Sequence, residues 1–400
     1  MQIVRSRAAR VAMLPTFLAA LVFCCAALGC AQAAAAPSGG ALRLARQLLA
    51  AGYQYERTIG GPGREPGQFD GVAGILALPD GTLYVADVYN DRIQKLHENG
   101  TVIAVFGNGV QGSGPRQWNQ PRDIAMSPDG TELFVLDSGN QRVKVLGLSG
   151  TLKFSFGENG HGRGNFLMPV GVATGPSGVY ITDTFYPRVQ KFDYNGNFLW
   201  TMGEQGQEDG QFAFPMGCAV AVNVRLENTV VPEVLYVADQ YNSRVQYFDG
   251  ADGSYLGQFS GTKFGDIAFP AHLDVTADNS IVVVESQTQR FERFSATGAK
   301  QLSFDSYGTG SWTPVFDKPT GVSVVSLPGL EAVYVADESL NTIQKFTLGL
   351  PSPPPKPPPP RPPRPAPPQR RRRQPRPLRR RSLPAGAASV SSAADTTDYD

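Results

Sequence analysis

The segment Leu83–Leu96 reads LYVADVYNDRIQKL, and five later segments of the chain repeat its pattern. In each copy, an apolar run ends in an acidic residue. Five residues after that acidic residue, a second run begins in which polar and apolar residues alternate. The acidic residues lie 46 to 56 positions apart, at Asp87, Asp137, Asp183, Asp239, Glu285 and Asp337. Repeats of about 40 to 50 residues that contain strands rather than helices are typical of the blades of β-propellers.

Each unit contains four strand-like segments, and the first follows a proline in five units, with Val72 in that place in the first unit. Unit six stops after its third segment, at Phe346. The missing pattern occurs in Tyr53–Gly60 (YQYERTIG), ahead of unit one. We therefore predict an all-β fold over residues 53–349, a ring of six blades in which the N-terminal strand closes the last blade and removes an exposed sheet edge.

The repeated motifs resemble those of the NHL-repeat family. They are Pro-x-Gly-hydrophobic, Gly-x-Leu-Tyr-Val-Ala-Asp and Asn-x-Arg-hydrophobic-Gln, and they extend over all six units. Unit five departs most, with Glu285 in place of Asp and Val282 in place of an aromatic residue, and unit six has Thr342 in place of Arg. The resemblance implies a six-bladed β-propeller. It leaves the function open, because members include RNA-binding and protein-binding modules, extracellular sensors and a peptide-amidating lyase.

The N-terminal 36 residues contain three Arg followed by an almost uncharged apolar stretch, and Ala31–Ala33 matches an A-x-A cleavage pattern. This pattern predicts a secretory signal peptide, with an uncleaved membrane anchor as the alternative because the run is long enough to span a bilayer. Residues 37–52 are expected to be a linker. Three of the four Cys lie in residues 1–36. Only Cys218 remains beyond them, which excludes an intrachain disulfide framework and a four-Cys zinc or RING module.

Residues 350–400 form a tail rich in Pro and Arg, which we expect to be disordered. Its PSPPPKPPPPRPPRPAPP run resembles the Ser-Pro-Pro-Pro modules of hydroxyproline-rich cell-wall glycoproteins. With the signal peptide, this resemblance implies an extracellular or wall-associated protein. Arg370–Arg373 and Arg379–Arg381 predict attachment to an acidic polysaccharide or an anionic surface. A processing site, a nuclear signal and a tail without a partner are the alternatives. Asn99–Thr101 is a glycosylation sequon in a predicted turn, so Asn99 is expected to carry a glycan.

Several repeated residues are interpreted as frame residues, which stabilise the fold and do not belong to a binding or catalytic site. The reason is that a catalytic group is needed once or twice and not in every blade. They include the pairs of acid and Arg five positions apart and the aromatic residues of the second segments. The aromatic residues are Tyr84, Phe134, Tyr180, Tyr236 and Tyr334. Residues 37–350 carry 22 basic and 32 acidic residues. This surplus of acid argues against nucleic acid as a partner of the propeller.

Positions at which a unit departs from the repeat say more about a binding site than the repeated residues do. Four units place Gly at the second position after the first-segment Pro, whereas unit two has Asp123 and unit five has His272. Units two and five are three blades apart in a ring of six, so these residues should face each other across the central channel. Arg122 adjoins Asp123, and together the three predict a polar ligand clamp. The alternative is that Asp123 and His272 only hold neighbouring loops.

Aromatic residues follow the second segments on the same face of the ring, at Tyr89, Phe185, Tyr186 and Tyr241. An acidic rim is expected beside them, at Glu204, Glu208, Asp209 and Asp266. Such a surface suits a protein, peptide or glycan partner, and packing against adjacent loops is the alternative. Long loops at residues 107–119 and 305–317 add Trp118 and Trp312, which we expect to provide further contacts.

The leading hypothesis is a secreted, non-catalytic binding module that uses this upper face, with no cofactor. A metal-assisted lyase or hydrolase is a second hypothesis. The chain has three His, His97, His161 and His272, and only His272 maps to the channel, which argues against a three-His zinc site. The sequence is also compatible with a calcium ion bound in the channel by backbone carbonyl oxygens. A third hypothesis is an adaptor similar to NHL-containing ubiquitin-ligase proteins.

Overall fold

The computed structural model describes residues 52–260, 267–305 and 316–349. The expected signal peptide or anchor, nearly all of the linker, the Pro/Arg-rich tail, Asp266 and Trp312 lie outside these ranges. Across the described ranges, the chain contains no helix that is both long enough and apolar enough to cross a membrane.

Within the described ranges, 24 strands form six antiparallel sheets of four strands each. The first strand along the chain is β1 (Gln54–Ile59). Blade 1 contains β2 (Val72–Ala77), β3 (Thr82–Asp87), β4 (Arg92–His97) and β5 (Val102–Phe106). Blade 2 contains β6 (Pro121–Met126), β7 (Glu132–Asp137), β8 (Arg142–Gly147) and β9 (Leu152–Phe156). Blade 3 contains β10 (Pro169–Gly175), β11 (Gly178–Asp183), β12 (Arg188–Phe192) and β13 (Phe198–Met202).

The second half of the ring repeats this order. Blade 4 contains β14 (Pro215–Leu226), β15 (Thr229–Asp239), β16 (Arg244–Asp249) and β17 (Tyr255–Ser260). Blade 5 contains β18 (Pro270–Val275), β19 (Ile281–Glu285), β20 (Arg290–Phe294) and β21 (Lys300–Asp305). Blade 6 contains β22 (Pro319–Leu327), β23 (Leu330–Asp337), β24 (Thr342–Leu348) and β1. Short 3-10 helices follow the second strands of blades 1, 2 and 4, at Val88–Asn90, Ser138–Asn140 and Gln240–Asn242.

The predicted closure of the ring is confirmed. Strand β1 pairs antiparallel with β24, with Gln54 opposite Thr347 and Ile59 opposite Ile343. Side chains add to this junction, since the Tyr53 hydroxyl donates to Glu331 at 2.5 Å. The last blade is therefore built from both ends of the propeller, as the order of the sequence units predicts.

The core lies between blades rather than within one sheet. Strand β3 is buried along its whole length because both of its faces pack against neighbouring blades. In contrast, β9 alternates between half-buried and exposed residues because fourth strands form the outer edge. The repeated aromatic residues of the second strands are all buried, as their interpretation as frame requires. The repeated ion pairs brace the turns, since Arg92 Nε lies 2.7 Å from Asp87 Oδ2 while its guanidinium donates to the carbonyl oxygens of Glu65 and Gln68.

Candidate functional site

Four blades carry glycine near the start of the first strand, where the strands surround the channel. These glycines are Gly74, Gly171, Gly217 and Gly321. A Cβ atom at Gly217 would lie 2.7 Å from the Cα atom of His272, and one at Gly321 would lie 2.1 Å from the carbonyl oxygen of Ala73. Neighbouring first strands therefore approach too closely to admit a side chain at these positions. In blades 2 and 5, Asp123 and His272 replace glycine and extend into the channel.

The structure brings Asp123 and His272 together across the channel. His272 Nε2 lies 3.2 Å from Asp123 Oδ2. The same carboxylate accepts the backbone N–H groups of Ile124 at 2.9 Å and Val172 at 2.8 Å. Only 3% of the Asp123 side chain and 13% of the His272 side chain are exposed. We call this contact the channel bridge.

The bridge favours a protonated histidine. Burial lowers the pKa of His272, but the Asp123 carboxylate and, more weakly, Asp274 outweigh burial and raise it above its ordinary value. Burial raises the pKa of Asp274 to about 6, although its carboxylate accepts the backbone N–H groups of Val275 and Val324. The second ring nitrogen of His272, Nδ1, is buried and has no hydrogen-bond partner among the residues that the structure describes.

The channel bridge divides the channel into two cavities. The upper cavity, of about 660 Å³, opens where loops enter the first strands and leave the second strands. The lower cavity is about 420 Å³. His272 lines both cavities and Arg122 lines the upper one, whereas Asp123 and Asp274 line only the lower one. A ligand in the upper cavity therefore meets Arg122 and His272, and Asp123 acts on it only through the histidine.

One side of the upper cavity, formed by blades 6, 1 and 2, is charged. Lys318 Nζ lies 2.7 Å from Glu338 Oε2, and the half-exposed Tyr89 donates its hydroxyl to Glu338 at 3.2 Å. Arg122 has no hydrogen-bond or ion-pair partner within the described ranges, and its Nε atom is buried. The charged side thus contains one neutralised pair and one guanidinium without a counter-charge.

The opposite side, formed by blades 3 to 5, carries four neighbouring rings that we call the aromatic row: Phe185, Phe214, Tyr241 and Phe269. The Phe185 and Phe214 ring centroids are 6.0 Å apart. Phe214 and Tyr241 stack at 4.6 Å with an interplanar angle of 12°, and Phe269 meets Tyr241 edge-on at 6.0 Å. Phe185 and Tyr241 are 58% and 59% exposed. Phe185 forms the outer end of the row and does not line the cavity itself.

Two members of the aromatic row have a strained backbone. The φ angle is 72° at Phe214 and 55° at Phe269, in the left-handed region that favours glycine. Non-glycine residues in this region cost about 1 to 3 kcal/mol each. The same position is left-handed at Gly71 and Gln120 in blades 1 and 2, so the conformation belongs to the blade repeat, and blades 4 and 5 differ in placing a phenylalanine there. Neither phenylalanine was among the predicted site residues. The available signal was an aromatic residue directly before the strand-initiating Pro215 and Pro270.

Other predicted surface residues lie elsewhere. The expectation for Trp118 is wrong: only 2% of it is exposed, its Nε1 donates to the carbonyl oxygen of Phe106, and Lys144 Nζ lies 4.3 Å from its ring centroid. Tyr186 packs against His161 away from the upper cavity. Asn99 is exposed in the turn between β4 and β5.

Metal ligands do not gather in the described part of the chain, where no group of three or more His, Cys, Asp or Glu residues is placed to hold an ion. Cys218 is buried beside the channel, and burial raises the pKa of its thiol well above the ordinary value. A thiol in this state is a packed apolar group and a poor nucleophile.

Comparison with known proteins agrees with this architecture. A 98-residue stretch is 29% identical to NHL repeat-containing protein 3 from Homo sapiens, and the match covers 22% of this chain and 27% of that protein. The chain thus matches about a quarter of the length of this curated relative. No protein-family model matches the chain. The sequence match and the six-bladed architecture together support a propeller of the NHL type.

Solved structures share the fold at low sequence identity. A protein of unknown function from Bacteroides thetaiotaomicron is 15% identical with a TM-score of 0.54, covering 74% of this chain and 76% of that one. A gluconolactonase from Xanthomonas campestris is 14% identical with a TM-score of 0.52, covering 70% and 87%. A streptogramin B lyase is 14% identical with a TM-score of 0.50, covering 75% and 88%. These likenesses show the fold alone.

Proposed function

We propose that this NHL-type propeller is a binding module that recognises a peptide segment of a partner protein in its upper cavity. The observation that carries the proposal is the aromatic row at the rim of a cavity of about 660 Å³. Blades 4 and 5 place phenylalanine there, at a position that is Gly71 in blade 1 and Gln120 in blade 2. Exposed aromatic residues around a pocket are typical anchors of protein interfaces. A rigid ring of blades holds these anchors in place, so little ordering is required when a partner binds.

A peptide fits both sides of the cavity. Its apolar side chains would pack on the aromatic row, and its charged groups would meet Arg122 across the cavity. A glycan would rely more on acceptors for its hydroxyl groups. The Glu338 carboxylate is engaged by Lys318 and Tyr89, and Asp123 is enclosed below the cavity.

A displayed random-peptide library tests the proposal with the purified full-length chain as bait. We expect enriched peptides to lose about 10-fold or more in affinity for Tyr241→Ala, as is typical of a tyrosine anchor. Tyr186→Ala is the matched control, since Tyr186 is also an exposed aromatic residue but lies outside the cavity. The control should bind like the unmodified chain. Failure to enrich any peptide, or equal binding by both variants, would refute peptide recognition. Enrichment confined to a parallel glycan array would replace the peptide by a glycan.

We also propose that the protein is secreted, either free or held at a wall or surface by its tail. The proposal is supported by the signal-like residues 1–36 and by the clusters Arg370–Arg373 and Arg379–Arg381. Fractionation of a tagged chain should place it in the medium or the wall fraction, and deletion of residues 2–36 should retain it in the cell. Replacing both Arg clusters with Gln should release it from polygalacturonate beads. Retention of the Gln variant on the beads would exclude electrostatic attachment.

A further inference from the structure

Arg122 differs from the cations around it, which have acidic partners. The exposed Lys318 is paired with Glu338, and the mostly buried His272 is paired with Asp123. The third-strand arginines each contact the acidic residue of their own blade: Arg92, Arg142, Arg188, Arg244 and Arg290. Arg122 has no partner within the described ranges, although its Nε atom is buried. The buried Nε–H of Arg122 has lost water without gaining an acceptor, which is destabilising, and a bound anion would supply the missing acceptor.

We infer that Arg122 and His272 form a carboxylate subsite at the floor of the upper cavity. The inference rests on the proposed function, because it names the group by which the peptide is oriented. A guanidinium presents two parallel N–H donors that match the two oxygens of a carboxylate. The His272 ring lines the same cavity, and its buried Nδ1 has no hydrogen-bond partner within the described ranges, while its charge is balanced by Asp123.

The local charges favour a singly charged anion. Three cations face or border the floor, namely Arg122, His272 and Lys318, and two carboxylates, Asp123 and Glu338, are already paired with the latter two. One surplus positive charge, that of Arg122, therefore faces the upper cavity. Asp274 is not counted in this sum because it lines only the lower cavity, on the other side of the bridge. A carboxylate suits this balance better than a doubly charged phosphate. Peptides carry carboxylates at the C-terminus and on Asp or Glu side chains, and the aromatic row can take a neighbouring apolar side chain.

The test uses a minimal probe whose binding does not depend on finding the natural partner. N-acetyl-L-phenylalanine carries a carboxylate and a ring, and N-acetyl-L-phenylalaninamide differs only in lacking the charge. We expect ligand-observed NMR titrations to show a preference of about 10-fold to 100-fold for the carboxylate, the ratio that corresponds to a charge-assisted hydrogen bond. Arg122→Gln should abolish this preference and Arg122→Lys should retain part of it. The control Arg225→Gln removes an exposed arginine of blade 4 and should change nothing.

The outcomes separate this inference from the proposed function. Equal affinity for the two probes, no binding of the carboxylate probe at its solubility limit, or a preference that survives Arg122→Gln would each overturn the subsite. Circular dichroism checks that the variants are folded. If Arg122→Gln does not fold, the partial preference expected of Arg122→Lys provides the test.

The peptide library and the probes can also give different results. Library peptides whose binding requires Tyr241 but is unchanged by Arg122→Gln would support peptide recognition without the subsite. Probe binding without any enriched peptide would support the subsite alone. Amidated and Glu→Gln versions of an enriched peptide then tell which carboxylate is bound.

Discussion

Replacing Asp123 with Asn tests the channel bridge, because it removes a charge while keeping the size of the side chain. Asp123 accepts hydrogen bonds from the backbone N–H groups of Ile124 and Val172 and from His272 Nε2. An Asn side chain has a single acceptor oxygen. Whichever way its amide turns, the NH₂ group faces at least one of these donors. Asp123→Asn should therefore leave a buried donor without an acceptor and His272 without its counter-charge.

The magnitude depends on pH. Breaking a buried ion pair by removing one partner costs about 3 to 5 kcal/mol, which we expect near pH 5, where His272 is protonated. The folded-state pKa of His272 is raised above its unfolded value. The pair therefore stabilises the fold fully below the unfolded pKa, and this contribution is lost as the pH rises through the folded pKa. At a still higher pH only the hydrogen-bonding defect remains, at about 1 to 3 kcal/mol.

Urea unfolding of both proteins, followed by circular dichroism across this pH range, measures the difference in the free energy of unfolding. Asp274 interacts with both Asp123 and His272, so the measurement is repeated in an Asp274→Asn background to separate its titration from that of the bridge. Asp209→Asn is the control, since Asp209 is an exposed carboxylate of a loop, and it should change stability by less than about 0.5 kcal/mol. A loss that is independent of pH, or no larger than that of the control, would refute the account of the bridge.

Three further predictions concern single positions. Gly217→Ala should cost about 1 to 3 kcal/mol by thermal unfolding, because the new Cβ would displace His272, whereas Gly61→Ala, with no atom within 4 Å of its Cβ, should be neutral. The side-chain carboxyl carbon of Asp274 should titrate by NMR with a midpoint near 6 because of burial, and a midpoint near its ordinary value of 3.8 would contradict the burial of this carboxyl group. Expression in a secretory eukaryotic host should give a chain that loses mass on glycosidase treatment, and Asn99→Gln should abolish the shift.

The fold could be predicted because its information is local and repeated. Six copies of the Leu83–Leu96 pattern place the second and third strands, and the incomplete last unit identifies Tyr53–Gly60 as the closing strand. The ring symmetry then relates positions far apart in sequence. For this reason the contact between Asp123 and His272 could be predicted from two departures at an otherwise glycine position.

The rest of the site depends on contacts that no repeat encodes. Phe214 stacks on Tyr241 from the loop that enters the same blade, and Phe269 joins from the next blade. Both phenylalanines directly precede a repeated first-strand proline, but the residue type at that position differs among the blades, so the repeat does not indicate an aromatic row. Trp118, in contrast, occupies a repeated position that is a fully buried phenylalanine in other units, at Phe69, Phe166, Phe212 and Phe316. Its burial could therefore have been predicted by aligning the loops that enter the first strands. Nothing in the sequence, however, indicates that Asp123 is enclosed below the cavity it borders.

The strand pairing that closes the ring determines how the propeller responds to a pulling force. Strand β1 begins beside the end of β24, since Gln54 lies opposite Thr347, and it runs antiparallel to that strand. A force that pulls the two termini of the propeller apart would load these hydrogen bonds one at a time, as in a zipper, instead of shearing all of them together. Stretching a single molecule should therefore peel the first strand away at low force and expose blade 6 before any other blade gives way.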